Sequence, residues 1–156
     1  MTNEEKAKEL FRSGYNCAQS VFAVYAERYG IDFETALKLS SSFGGGMGRL
    51  REVCGAVSGM FMAAGLAKGY CSNNDKDEKK AHYERIQYLA GEFEKIHGSI
   101  VCRELLGLNR KKDIATPSER TVEYYKKRPC VEIVGDACRI LDKYLLSLSD
   151  VENKVD

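Results

Sequence analysis

The sequence predicts an all-α domain of about seven or eight helices with no sheet, and three features carry that expectation. Apolar residues recur at helical intervals along almost the whole chain, and no segment alternates apolar with polar residues as a half-buried strand would. Capping residues and glycines mark where the helices begin and end.

Taken in order, Thr2 with Glu5 forms a capping box ahead of Ala7, Leu10 and Phe11, and Gly14 stops that helix. Asn16 with Gln19 repeats the pattern and opens a second helix through Ala18, Val21, Phe22, Tyr25 and Tyr29, closed by Gly30. Asp32 starts a third, through Phe33, Ala36, Leu37 and Leu39, which ends at Gly44, Gly45 and Gly46. After a loop from Met47 to Leu50, a fourth helix is expected from near Arg51 to Lys68, with Gly69 closing it. The polar stretch Ser72 to Lys80 precedes a fifth, carrying Ala81, Ile86, Leu89, Ala90, Phe93 and Ile96 to Gly98. Ser99 is expected to cap a short helix ending at Gly107. Thr116-Pro117-Ser118-Glu119 reads as a strong start for a seventh, running to about Lys127. A last helix begins around Pro129, with Ile133, Val134, Ala137, Leu141, Tyr144, Leu145 and Leu148 in one stripe.

Length and composition bound the function. A chain of 156 residues suits one domain spanning residues 1–156, and at 44% apolar and 30% charged residues it has the balance of a globular protein. Lys and Arg number 24 against 23 Asp and Glu, so no overall field recruits nucleic acid or an acidic membrane face, and specificity must come from a local site. Glu4, Glu5, Lys6 and Lys8 interrupt any secretory h-region, and no run reaches the ~20 apolar residues that span a bilayer. A cytoplasmic location is expected. Six cysteines in such a chain point to reduced thiols used for chemistry or metal.

Four of them, Cys17, Cys54, Cys102 and Cys130, fall in the first turns of four different expected helices. Unpaired N–H groups and the positive end of the helix dipole favour a thiolate there, which makes a better nucleophile or metal ligand. Arg49 and Arg51 near Cys54, and Arg128 near Cys130, add to the effect, and Cys54 is the expected nucleophile. The bland alternative is that these are small buried hydrophobes. No Cys-x-x-Cys pair occurs, so any cluster must be assembled by tertiary folding. Cys71 and Cys138 are read as structural or incidental.

The run Gly44-Gly45-Gly46-Met47-Gly48-Arg49-Leu50-Arg51 could wrap an anion or cofactor with converging backbone N–H groups and two arginines, although it matches no phosphate-loop spacing and a flexible turn is the simpler reading. Gly55, Gly59, Ala63 and Ala67 recur every four residues as a smooth ridge that another helix, the mate in a homodimer, or a flat cofactor could approach, close helix packing being the first expectation. His82 and His97 lack a second ligand type at helical spacing and are read as surface or satisfied core residues. Arg110-Lys111-Lys112 and Lys126-Lys127-Arg128 have acidic neighbours and are read as solvated faces.

Asn16-Cys17-Ala18-Gln19, Gly44-Gly45-Gly46-Met47-Gly48, Cys54-Gly55-Ala56-Val57-Ser58-Gly59, Cys102 before Leu105-Leu106-Gly107, and Cys130 together resemble the redox-active family named for its C, GCAxxG, C and C cysteine pattern. The resemblance covers about Gly14 to Tyr144. It implies a small bacterial or archaeal protein, redox-active through those four cysteines, found alone or joined to electron-transfer modules. The label places glycine before its second cysteine, whereas here Cys54 precedes Gly55. No Cys-x-x-Cys-His occurs, so no covalent haem is expected.

Three functions follow as expectations. The first is a thiol-dependent oxidoreductase in which two of the four cysteines cycle between dithiol and disulfide with a redox partner or small molecule. The second makes Cys17, Cys54, Cys102 and Cys130 the ligands of an iron–sulfur cluster or a zinc ion. The third is a helical interaction module with incidental thiols.

Overall fold

In the computed structural model, which describes residues 1–108 and 113–154, eight right-handed helices are α1 (Asn3–Arg12), α2 (Cys17–Ala26), α3 (Phe33–Ser40), α4 (Gly55–Lys68), α5 (Lys76–His97), α6 (Cys102–Leu105), α7 (Val122–Lys127) and α8 (Cys130–Lys154). Among the described residues there is no strand, and a single isolated antiparallel bridge joins Val53 to Val101. No described helix is long and apolar enough to cross a membrane.

The caps set the frame. Both capping boxes form: the Thr2 hydroxyl accepts from the Glu5 amide, and the Asn16 side chain accepts from the Gln19 amide while Gln19 reaches back. Helix α2 runs through the centre, with Ala18, Val21, Phe22, Ala23, Tyr25 and Ala26 all buried. Tyr25 is fully buried, and its hydroxyl donates to the Cys138 carbonyl at 3.0 Å and to Asp142 at 2.8 Å, which satisfies it and ties α2 to α8.

Helix α4 lies against α2 so closely that only glycine fits. A Cβ on Gly59 would stand 2.8 Å from the Ala18 carbonyl oxygen and 3.1 Å from the Val21 Cβ, and one on Gly55 would stand 2.9 Å from the Phe43 carbonyl oxygen. The every-fourth-residue ridge is therefore a helix-packing surface inside the molecule. Overpacking here has a cost: Gly59→Ala should lower stability by about 2 kcal/mol, read as a fall in the urea midpoint at unchanged m-value.

Three expected boundaries move. Helix α4 starts at Gly55 rather than near Arg51, because Arg51 sits at φ 59 and the chain from 51 to 54 is extended against 100–103: the Cys54 amide donates to the Ile100 carbonyl at 2.8 Å and the Cys102 amide to Glu52. The short helix begins at Cys102 with Val101 as its N-cap, not at Ser99, whose hydroxyl instead receives the Val101 amide. Thr116-Pro117-Ser118-Glu119 starts no helix. Arg120, four residues on, donates to the Phe11 carbonyl at 2.8 Å and the Tyr15 carbonyl at 3.0 Å, which pulls residues 113–121 out as a strap across the end of α1. Thr121, accepting from the Tyr124 amide, caps α7 in its place.

Candidate functional site

Each of the four cysteines stands where a helix begins. Cys17 is the first residue of α2, Cys54 the N-cap of α4, Cys102 the first residue of α6 and Cys130 the first residue of α8. The elements carrying them converge for separable reasons. The backbone pairing of 51–54 with 100–103 brings Cys54 beside Cys102, the glycine seam of α4 on α2 brings Cys54 toward Cys17, and α8, packed along α1 and α2, delivers Cys130 next to Cys17. All four line one cavity of about 390 Å³, within the range of small-molecule sites (about 300–1,000 Å³).

Of the other expected site residues, Gly44, Gly45, Gly46, Arg49, Arg51 and Gly55 also line that cavity. Gly59 does not; it belongs to the α2 contact. Residues 45 to 49 all have positive φ, between 60 and 71, so the Gly44–Met47 segment is a left-handed turn rather than a flexible connection. Left-handed backbone costs an L-residue roughly 1–2 kcal/mol, and Met47, Arg49 and Arg51 all adopt it. Such strain persists only where the surroundings over-determine it. Here the Gly48 amide closes on the Gly44 carbonyl, the Glu52 amide donates to the Gly46 carbonyl at 2.9 Å, and Asp113 clamps both guanidiniums at 3.1 Å. Arg49 Nε also donates to the Ile114 carbonyl, so the turn and the strap hold each other.

The turn delivers Arg51 into the interior with 1% of its surface exposed, where Nη1 donates to Cys102 Sγ at 3.5 Å. Its Nε is buried and finds no acceptor among the described residues.

The sulfurs differ sharply in environment. The neighbouring Cys17 thiol first, and then the Arg128, Arg120 and Arg51 charges, hold the Cys130 thiol below its ordinary value against the effect of burial. The Cys130 thiol first, and then burial, push Cys17 well up. Cys54 is pushed up to about 12 by burial, which outweighs the Val57 and Ala56 amides that its sulfur accepts. Burial likewise raises Cys102 despite Arg51. Desolvation at Cys54 thus opposes a thiolate more than the helix start favours one, and among the cavity thiols Cys130 is the one held below its ordinary value. Cys17 and Cys130 are half-buried on the cavity wall, whereas Cys54 and Cys102 are buried.

Sequence reasoning missed Phe11, Asn16, Tyr124 and Arg120, which line the cavity, and Asp113 behind it. Arg128, read as part of a solvated face, is half-buried, lies over the Tyr124 ring at 4.9 Å and lines the cavity. No spacing rule could have found these, because the strap carries no periodic signal. Arg110-Lys111-Lys112 lie outside the described residues. Among the described residues no three His, Cys, Asp or Glu side chains are placed to hold a metal ion. His82 pairs with Arg85 and His97 with Asp136, both away from the cavity. Cys138 is buried and Cys71 exposed, and neither lines it.

A family described as "Putative redox-active protein (C_GCAxxG_C_C)" matches residues 15–144, a span that contains every cysteine on the cavity. The chain belongs to this family. A relative from Archaeoglobus fulgidus, described only as an uncharacterized protein, is 30% identical over 164 aligned positions covering 96% of this chain and 98% of its own. No solved structure matches the chain. The matched span takes in all four cysteines that meet at the cavity, and the fold that joins them is all-α.

Raised thiols leave a mark on stability. A thiol whose folded pKa exceeds its unfolded value contributes stability that is complete below the unfolded value, about 8.5, and is lost as pH rises toward the folded one. Cys54 and Cys138, each pushed up to about 12 by burial, together with Cys17 and Cys102, should make the urea midpoint fall steadily between about pH 8.5 and 12. Cys138→Ala should shallow that fall while lowering the midpoint throughout.

Proposed function

We propose that the protein carries out two-electron thiol–disulfide chemistry in which Cys130 attacks and Cys17 resolves. The observation that supports this most directly is that Cys17 and Cys130, each the first residue of its helix, are the two half-buried cysteines on the wall of one accessible cavity. Two thiols on one cavity wall form a bridge when their sulfurs meet in disulfide geometry, and only the thiolate member is nucleophilic.

The step balances simply. The Cys130 thiolate attacks one sulfur of a substrate disulfide, forming a mixed disulfide and expelling a thiolate that takes a proton from solvent. Cys17 then loses its proton and attacks the Cys130 sulfur, closing a Cys17–Cys130 disulfide and releasing the second substrate thiol. The protein gives up two electrons, the substrate disulfide takes them, and a dithiol reductant reverses the cycle. Arg128, Arg120 and Arg51 favour the charged form of Cys130 throughout. Cys54 and Cys102 are buried, and they shape the wall.

Thiol titration of the unfolded chain tests this in a Cys71→Ser background. Mild oxidation should lower the count by two, with the count restored by a dithiol reductant. A count that stays unchanged, or visible absorbance from bound iron after anaerobic purification, would sink the proposal.

A further inference from the structure

The charge around the cavity is unlike that of the whole chain. Four guanidiniums line it, those of Arg49, Arg51, Arg120 and Arg128, and no Asp or Glu does among the described residues. One carboxylate, Asp113, sits between Arg49 and Arg51 and offsets part of that charge. The chain overall carries a net charge of only +1, so the positive potential is concentrated at this mouth. Low-dielectric walls of Phe11, Leu105, Leu106 and Ile133 strengthen it.

Among the described residues, one buried donor in this group finds no acceptor. Arg51 is buried to 1% exposure and lines the cavity; its Nη1 donates to Cys102 and its Nη2 to Asp113, while its buried Nε meets no acceptor among those residues. A buried guanidinium N–H without an acceptor is costly, and an anionic oxygen in the cavity would satisfy it. Arg128, held over the Tyr124 ring, stands at the same wall as Cys130. The N-termini of α2, α4 and α8 point their positive ends toward the same space.

We propose that the cavity binds a small acidic disulfide, its carboxylate or sulfonate held by Arg51 and Arg128 and its sulfur–sulfur bond presented to Cys130. This rests on the thiol–disulfide reading above and names its substrate class. The anionic group is recognised by the guanidiniums, and the apolar lining accepts the carbon atoms between acid and sulfur. The electron count is that of the two-step exchange: two electrons pass from the Cys17–Cys130 dithiol to the substrate, which leaves as two acidic thiols.

The test compares three probes on the reduced Cys71→Ser protein: dithiobis(nitrobenzoate), a dianion, neutral dithiodipyridine, and cystamine, a dication. Each rate is divided by that for a small free thiol, which removes the intrinsic reactivity of the probe. The dianion should be favoured over the neutral probe by about tenfold or more, and the dication disfavoured, with the preference shrinking as salt is raised. Arg128→Gln, at the half-buried wall, should slow all three probes by removing one of the charges that favour the Cys130 thiolate, and should in addition cut the ratio of the dianion's normalised rate to the neutral probe's several-fold; Arg51→Lys, which keeps the charge without Nε, should cut that ratio similarly if it folds. Equal normalised rates for all three probes would overturn anion selection while the Cys17–Cys130 disulfide still forms. Failure of every probe to yield that disulfide would instead overturn the thiol reading on which the proposal stands.

Discussion

Serine at position 130 should slow the reaction of the reduced protein with a small disulfide on the order of 100-fold in a Cys71→Ser background, the largest kinetic effect of any single cysteine change. The reason is the distribution of charge among the sulfurs. At neutral pH a thiol pushed up to about 12, as Cys54 is, holds roughly a thousandfold less thiolate than an ordinary cysteine, and Cys102 and Cys17 are raised in the same direction. Only Cys130 among the cavity sulfurs is lowered, and its largest support is the Cys17 thiol. The partner substitution separates two roles. Cys17→Ala should leave a first attack but no second, so a mixed disulfide on Cys130 accumulates and is visible as a mass adduct. It should also move the pH midpoint of the first attack upward, since the reaction rises with pH through the Cys130 ionisation and that ionisation loses its main stabiliser. A midpoint unmoved by Cys17→Ala would mean that the arginines alone set the thiol.

Gly46→Ala should be the most destabilising of the glycine substitutions, by roughly 3 kcal/mol or more, and should disperse the site. An added Cβ would lie 2.6 Å from the Cys102 Cβ, 2.8 Å from the Arg51 Cα and 2.8 Å from the Glu52 amide nitrogen, two of them backbone atoms that cannot step aside. The left-handed φ of 71 adds its own penalty. Gly48→Ala supplies the control. It carries the same left-handed backbone, with φ 60, but an added Cβ would meet nothing nearer than the Ser42 carbonyl oxygen at 3.9 Å, so only the conformational cost of about 1 kcal/mol applies. The difference between the two urea midpoints therefore measures how tightly the turn is pressed onto Cys102 and Arg51.

Much of this architecture is legible before any coordinates. The two capping boxes, the closing glycines and the long apolar stripes of α2, α5 and α8 are local signals, and local signals suffice to place most helices. The first-turn positions of the four cysteines follow from those boundaries. What local patterns cannot express is a competition settled by distant residues. Thr116 to Glu119 has every local mark of a helix start, yet Arg120 finds two carbonyls at the end of α1, and those contacts outweigh the cap. Arg51 looks like the first residue of a helix, yet Asp113, over sixty positions away, holds it in a left-handed conformation that the sequence gives no reason to expect. The environment of Cys54 is only half legible for a related reason: helix-start stabilisation is visible in sequence, whereas the burial that opposes it is a property of the assembled core.

Four cysteines from four remote stretches share one cavity, and the proposed chemistry pairs Cys17 with Cys130. Limited oxidation of the native protein followed by peptide mass mapping reads that arrangement directly. The bridged peptides should be those holding Cys17 and Cys130, formed within single chains and removed by either substitution. A bridge between Cys54 and Cys102, or cross-linking between chains through Cys71 alone, would contradict it.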